Sequence, residues 1–136
     1  MEPKIIEITE DIKTFCGHTY DVPAGIPALF DKLDKQTGGF KGRHLYGVSS
    51  CDGDRLIYRA CIEEEHEGDG SKFNLPQYSI PKGKYLYVVF KDWQQHIPEM
   101  PTMFEKLMQH PEAKKDTICL EDYQSHNEML LMVEHI

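Results

Sequence analysis

The sequence predicts an α+β fold built from a duplicated strand–helix–strand–strand unit, with an antiparallel sheet about a pseudo-twofold axis, two main helices and a cleft between the halves. Three observations carry this reading. The helix start Ile26-Pro27-Ala28-Leu29-Phe30-Asp31-Lys32-Leu33 returns as Met100-Pro101-Thr102-Met103-Phe104-Glu105-Lys106-Leu107, with Pro27 and Pro101 74 positions apart. At the same offset Leu56 meets Leu130, Ile57 meets Leu131 and Ile62 meets Ile136. Around the helices lie apolar runs that alternate with period two, as strands with one covered face do. Two copies are too few for a solenoid. Each copy holds one helix with one apolar stripe, which must rest on a sheet. The copies are placed at residues 5–64 and 78–136 of a single domain, 1–136, and joined by a charged linker at 65–77.

The run from Ile5 to about Val22 reads as a first strand, and Asp21-Val22-Pro23-Ala24-Gly25 as a connection. In the first helix Pro27 stands where a missing N–H costs nothing. Ile26, Leu29, Phe30 and Leu33 fall at i, i+3, i+4 and i+7, a single buried stripe. Gly38-Gly39 ends the helix. Arg43–Ser50 and Leu56–Glu63 read as a hairpin across the turn Asp52-Gly53-Asp54, with Leu56, Tyr58, Ala60 and Ile62 on one face. The charged, glycine-broken segment Glu63–Gly70 is expected to be an exposed, mobile connection.

Tyr78-Ser79-Ile80 and the turn Pro81-Lys82-Gly83 precede a strand over Lys84–Phe90. Tyr85, Tyr87 and Val89 lie opposite Leu86, Val88 and Phe90 in it. Trp93, the sole tryptophan, follows this strand and precedes the second helix. Ile118–Tyr123 is a further short strand, with Ile118 and Leu120 on one face and Cys119, Glu121 and Tyr123 on the other. Glu121 and Tyr123 then stand about 7 Å apart, two residues at roughly 3.4 Å each. With the Ile/Leu face on the core, the carboxylate and the phenol face either water or a pocket; spacing alone leaves both open. At the repeat offset Glu121 falls on Gly47, so one half carries a carboxylate where the other leaves space.

Composition narrows the function. The chain is 40% hydrophobic and 28% charged, as folded domains are. A net charge of -8 repels phosphate backbones, so no direct nucleic-acid binding is expected. No apolar run approaches the roughly 20 residues of a membrane span, and the N-terminus lacks the basic-then-apolar pattern of a secretory signal; the expected location is the cytoplasm. Cys16, Cys51, Cys61 and Cys119 show no C-x-x-C or metal-ligand spacing and are expected as free, partly buried thiols. The seven histidines include no His-x-x-x-His pair, and there is no phosphate loop or Gly-x-Ser-x-Gly elbow. Neither a metal nor a cofactor is expected.

Four motifs occur in order: Ile26-Pro27-x-Leu29-Phe30, Leu45-Tyr46-Gly47-Val48, Ile80-Pro81-Lys82-Gly83-Lys84-Tyr85 and Glu121-Asp122-Tyr123. In them the chain resembles the GyrI-like small-molecule-binding domains, which also serve as effector-binding domains of AraC-type and MerR-type bacterial regulators. The resemblance implies a stand-alone GyrI-like protein with a ligand cleft, in which Glu121 contacts cationic or aromatic ligands. Aromatic walls would come from Tyr46, Tyr58, Tyr87, Tyr123 and Trp93, since aromatic faces attract organic cations. Two alternatives stay open. Some GyrI-like proteins hydrolyse cyclopropane-bearing electrophiles, which would make Glu121 catalytic, and others bind DNA gyrase, which would make the partner a protein. Segments Glu63–Gly70 and Trp93–His96 lie outside the matching motifs.

Overall fold

The computed structural model describes residues 2–136. In chain order its elements are β1 (Lys4–Ile8), β2 (Ile12–Thr19), α1 (Ile26–Thr37), β3 (Leu45–Asp52), β4 (Arg55–Glu63), the single-turn α2 (Asp69–Lys72), β5 (Gln77–Ile80), β6 (Gly83–Lys91), α3 (Met100–Met108), β7 (Cys119–Tyr123) and β8 (Glu128–Glu134). Two short 3-10 turns, Trp93–Gln95 and Ile97–Glu99, lead into α3. The fold is α+β, and the strand pairings within each unit are antiparallel. No helix among the described residues is long and apolar enough to cross a membrane.

The chain divides into two compact units, Asp11–Ile80 and Met1–Glu10 with Pro81–Ile136. In the first, the strands lie in the order β3-β4-β2-β5. Helix α1 covers one face. Its Leu29 and Leu33 are buried against Tyr58 and Ala60 of β4, with Ile26, Phe30 and Phe40 packed around them. The strand residue beneath the helix is Gly17, opposite Ala60. A Cβ there would stand 2.9 Å from Leu29 Cδ1 and 3.2 Å from Leu33 Cδ2, so the helix sits this close only because Gly17 has no side chain. The helix ends where expected: Gly38 takes φ 78°, and the Gly39 N–H donates to the Asp34 carbonyl at 2.8 Å. The β3–β4 hairpin turns on Gly53-Asp54, with Asp52 opposite Arg55.

In the second unit the order is β1-β6-β8-β7. Its core joins Met100, Phe104 and Leu107 of α3 to Leu86, Phe90, Met129, Leu131 and Val133 of the sheet. The second helix therefore uses its apolar stripe as the first does.

Two expectations need revision. The run from Ile5 to Val22 is two strands, broken at Thr9-Glu10-Asp11. β1 pairs with β6, Lys4 opposite Tyr87, while β2 pairs with β4 and β5. Apolar alternation reads the same across such a break, because a short polar kink looks like an exposed stretch of strand. The charged segment is also more than an exposed connection. Residues 65–68 are exposed, but Asp69 and Gly70 are buried. Asp69 Oδ2 accepts the N–H groups of Glu65 at 2.9 Å and His66 at 3.1 Å. The Arg43 guanidinium stands 3.8 Å from it and lies over the rings of Phe15 and Phe73, at 5.6 and 5.4 Å. A buried carboxylate needs such partners, and here they fold the acidic run back onto its unit.

Candidate functional site

Glu121 is held at the centre of β7 by the ladder to β8: Cys119 faces Val133, Glu121 faces Leu131 and Tyr123 faces Met129. The strand is fixed at its start by the Ile118 N–H to Glu134 Oε1 (3.0 Å) and the Glu134 N–H to Thr117 Oγ1 (2.7 Å). Leu120 is fully buried on one face. The other face is covered too. Leu131 and Val133, which share it, belong to the α3 core, and Cys119 and Tyr123 pack against that core. Glu121 thus lies on the helix-covered side of the sheet at 8% exposure, and the water-facing alternative does not hold for it.

Its surroundings are aromatic and sulfur-bearing. The Tyr123 hydroxyl donates to Glu121 Oε1 at 2.8 Å. The Trp93 ring meets the Tyr123 ring edge to face, centroids 5.3 Å apart at 80°. Trp93 owes its place to Asp92, whose φ of 53° turns the chain out of β6 and whose N–H donates to the Asn127 carbonyl at 2.7 Å. The Trp93 indole Nε1 is buried and makes no hydrogen bond. Cys119 Sγ lies 3.7 Å from Met108 Sδ at the end of α3. A carboxylate beside an aromatic pair can receive an organic cation by a charge-assisted contact, with aromatic faces adding roughly 0.5–2 kcal/mol each.

The structure brings together Glu121, Tyr123 and Trp93 of the residues singled out in the sequence. It separates Tyr87 from them: Tyr87 pairs with Met132, as Leu120 does, and so lies on the opposite face of the same sheet. Tyr58 is 1% exposed beneath α1, edge to face with Phe30 at 6.3 Å. It is a core residue of the Asp11–Ile80 unit. Tyr46 belongs to that unit as well, its ring stacked on His44 at 4.5 Å and its hydroxyl donating to Glu63 Oε1 at 3.1 Å. The sequence reading placed Cys119 on this face but did not single out Met103 and Met108 of α3, of which Met103 packs on the helix core and Met108 meets Cys119.

No family model matches the chain, and no curated protein sequence matches it significantly. Solved structures do. An integron cassette protein from the mobile metagenome of Vibrio cholerae aligns at TM-score 0.74 and 16% identity, over 100% of this chain and 97% of its own. SAV2435, solved with bound tetraphenylphosphonium, aligns at TM-score 0.71 and 12% identity, over 98% and 94%. At such identities the likeness is one of fold.

Proposed function

We propose that the protein is a small-molecule-binding protein of the GyrI-like type that takes amphipathic cationic or aromatic ligands at Glu121, with Tyr123 and Trp93 beside it. The observation that carries this reading is a carboxylate buried to 8% exposure next to an aromatic pair. An organic cation placed beside this carboxylate would gain a charge-assisted contact and meet the two rings. The buried Trp93 N–H adds a donor for a ligand acceptor. Two further features support the reading. A fold neighbour was solved with a lipophilic aromatic cation. Both units also run strand–helix–strand–strand with the same strand order, which supports the duplicated plan.

The test is thermal denaturation of the wild type and of Glu121→Gln with tetraphenylphosphonium. A ligand at ~100 Kd stabilises the native state by about 2.7 kcal/mol. The wild type is expected to gain stability and Glu121→Gln to lose most of that gain while melting normally without ligand. Equal gains in both proteins would move the site away from Glu121, and no gain with this or related cations would remove the reading.

A further inference from the structure

Cys16 and Cys61 lie 45 positions apart in the sequence, where each is expected as a free thiol. The register of β2 and β4 sets them directly opposite one another. The Cys16 N–H donates to the Pro76 carbonyl at 3.0 Å, away from β4. In an antiparallel strand the N–H and C=O of one residue point to the same side, so the Cys16–Cys61 pair occupies a position without hydrogen bonds between its two residues. There the Cα atoms stand about 4.5 Å apart and the side chains come closest. That separation falls inside the roughly 4.4–6.8 Å range that a disulfide spans.

The pair is also reachable. A cavity of about 370 Å³ in the Asp11–Ile80 unit is lined by Cys16, His18, Cys51, Arg59, Pro76 and Tyr78. Cys61 is not in its wall and is fully buried, whereas Cys16 keeps 4% exposure. Arg59 is held in the wall by Ser50 Oγ at 3.4 Å and by the Tyr78 ring at 4.9 Å. The hydrogen bond between the two sulfurs lowers the Cys16 thiol from its ordinary value, against its burial, and Arg59 adds to the effect. The neighbouring Cys16 sulfur and then burial push the Cys61 thiol well up, and the Cys61 S–H also lies 3.8 Å from the Arg59 carbonyl that can accept it. Of the two sulfurs, the one that meets the cavity is therefore the readier to lose its proton.

We propose that Cys16 and Cys61 are a cross-strand dithiol site that reduces hydroperoxides admitted through this cavity, Cys16 attacking and Cys61 resolving. The Cys16 sulfur attacks one peroxide oxygen. The S–O bond forms, the O–O bond breaks, and the departing oxygen leaves as the alcohol with the proton Cys16 gave up. The Cys61 sulfur then displaces the hydroxyl of the sulfenic acid. An S–S bond forms, and the hydroxyl leaves as water with the Cys61 proton. Two thiols and one hydroperoxide become a disulfide, an alcohol and water, with each sulfur giving one electron. Arg59 supplies the donor that steadies the leaving oxygen.

The experiment treats reduced protein with hydrogen peroxide and with cumene hydroperoxide, then reads intact mass and a non-reducing peptide map. The wild type is expected to lose two hydrogens and to show one crosslink, Cys16 to Cys61. Cys61→Ser should stop at a Cys16 sulfenic acid that dimedone traps, and Cys51→Ser and Cys119→Ser should behave as wild type. A crosslink through Cys51 or Cys119, or oxidation of exposed Cys51 while Cys16 and Cys61 stay reduced, would overturn the proposal. The wild-type map needs no substitution, so it decides even if a cysteine variant fails to fold. The outcome is independent of ligand binding at Glu121, which lies in the other unit.

Discussion

Gly17 and Asp69 show how much one side chain, or its absence, decides. Adding a methyl group at Gly17 forces the ends of Leu29 and Leu33 to move in a close-packed core. Gly17→Ala should cost about 1–3 kcal/mol, the usual range for overpacking. Urea unfolding should show a lower midpoint at unchanged slope; an unaltered midpoint would mean that α1 tolerates a wider spacing than its packing implies. Asp69 makes a pH prediction. The His66 and Glu65 N–H groups hold its carboxyl below the ordinary value, and Arg43 adds to them against the effect of burial. A carboxyl lowered in the folded state stabilises the fold above its unfolded value and loses that contribution as pH falls through the folded one. The stability gap between wild type and Asp69→Asn should be full at neutral pH and close in acid. A gap constant with pH would show that shape, not charge, holds the segment.

At the scale of elements, the two main helices are where the sequence was most legible. Their stripes are local facts: 3.6-residue periodicity places Leu33 and Leu107 inside whatever the helix rests on, and both are buried, at 1% and 0% exposure. Leu107→Ala should cost about 2–5 kcal/mol, as truncation of a fully buried leucine does, measured as a fall in ΔG of unfolding. A cost below 1 kcal/mol would mean that the α3 core collapses onto the gap. β7 was half legible. Alternation correctly grouped Cys119, Glu121 and Tyr123 on one face. It could not say that α3 covers that same face, because both faces of this strand are buried and only the position of the helix distinguishes them. α2 was not legible. Its residues, Asp69-Gly70-Ser71-Lys72, carry no apolar pattern, and one of the groups that meets Asp69 is Arg43, 26 positions upstream.

At the scale of the molecule, strand exchange along the chain is the feature that local patterns missed. β1 precedes the Asp11–Ile80 unit in sequence yet pairs with β6 of the other. Deleting residues 2–8 should strip β6 of its edge partner. Hydrogen exchange should then show faster exchange at the β6 amides that face β1, while the amides pairing β3 with β4 keep their protection. Unchanged β6 protection would mean that β1 contributes nothing to that ladder.

Legible in the residues alone were the α+β class, a hairpin read as Arg43–Ser50 with Leu56–Glu63 and found at Leu45–Asp52 with Arg55–Glu63, the two helices with their buried stripes, and the placing of Glu121 and Tyr123 on one strand face. All of these rest on interactions within a few residues, which periodicity and turn chemistry record directly. Long-range packing alone brings Trp93 to Tyr123, makes Tyr58 core while Tyr87 lies on the opposite face from Glu121, and sets Cys16 against Cys61 above a cavity. Those outcomes depend on register and on which face a helix covers. Both are set by contacts between residues far apart in the chain, and no local pattern carries them.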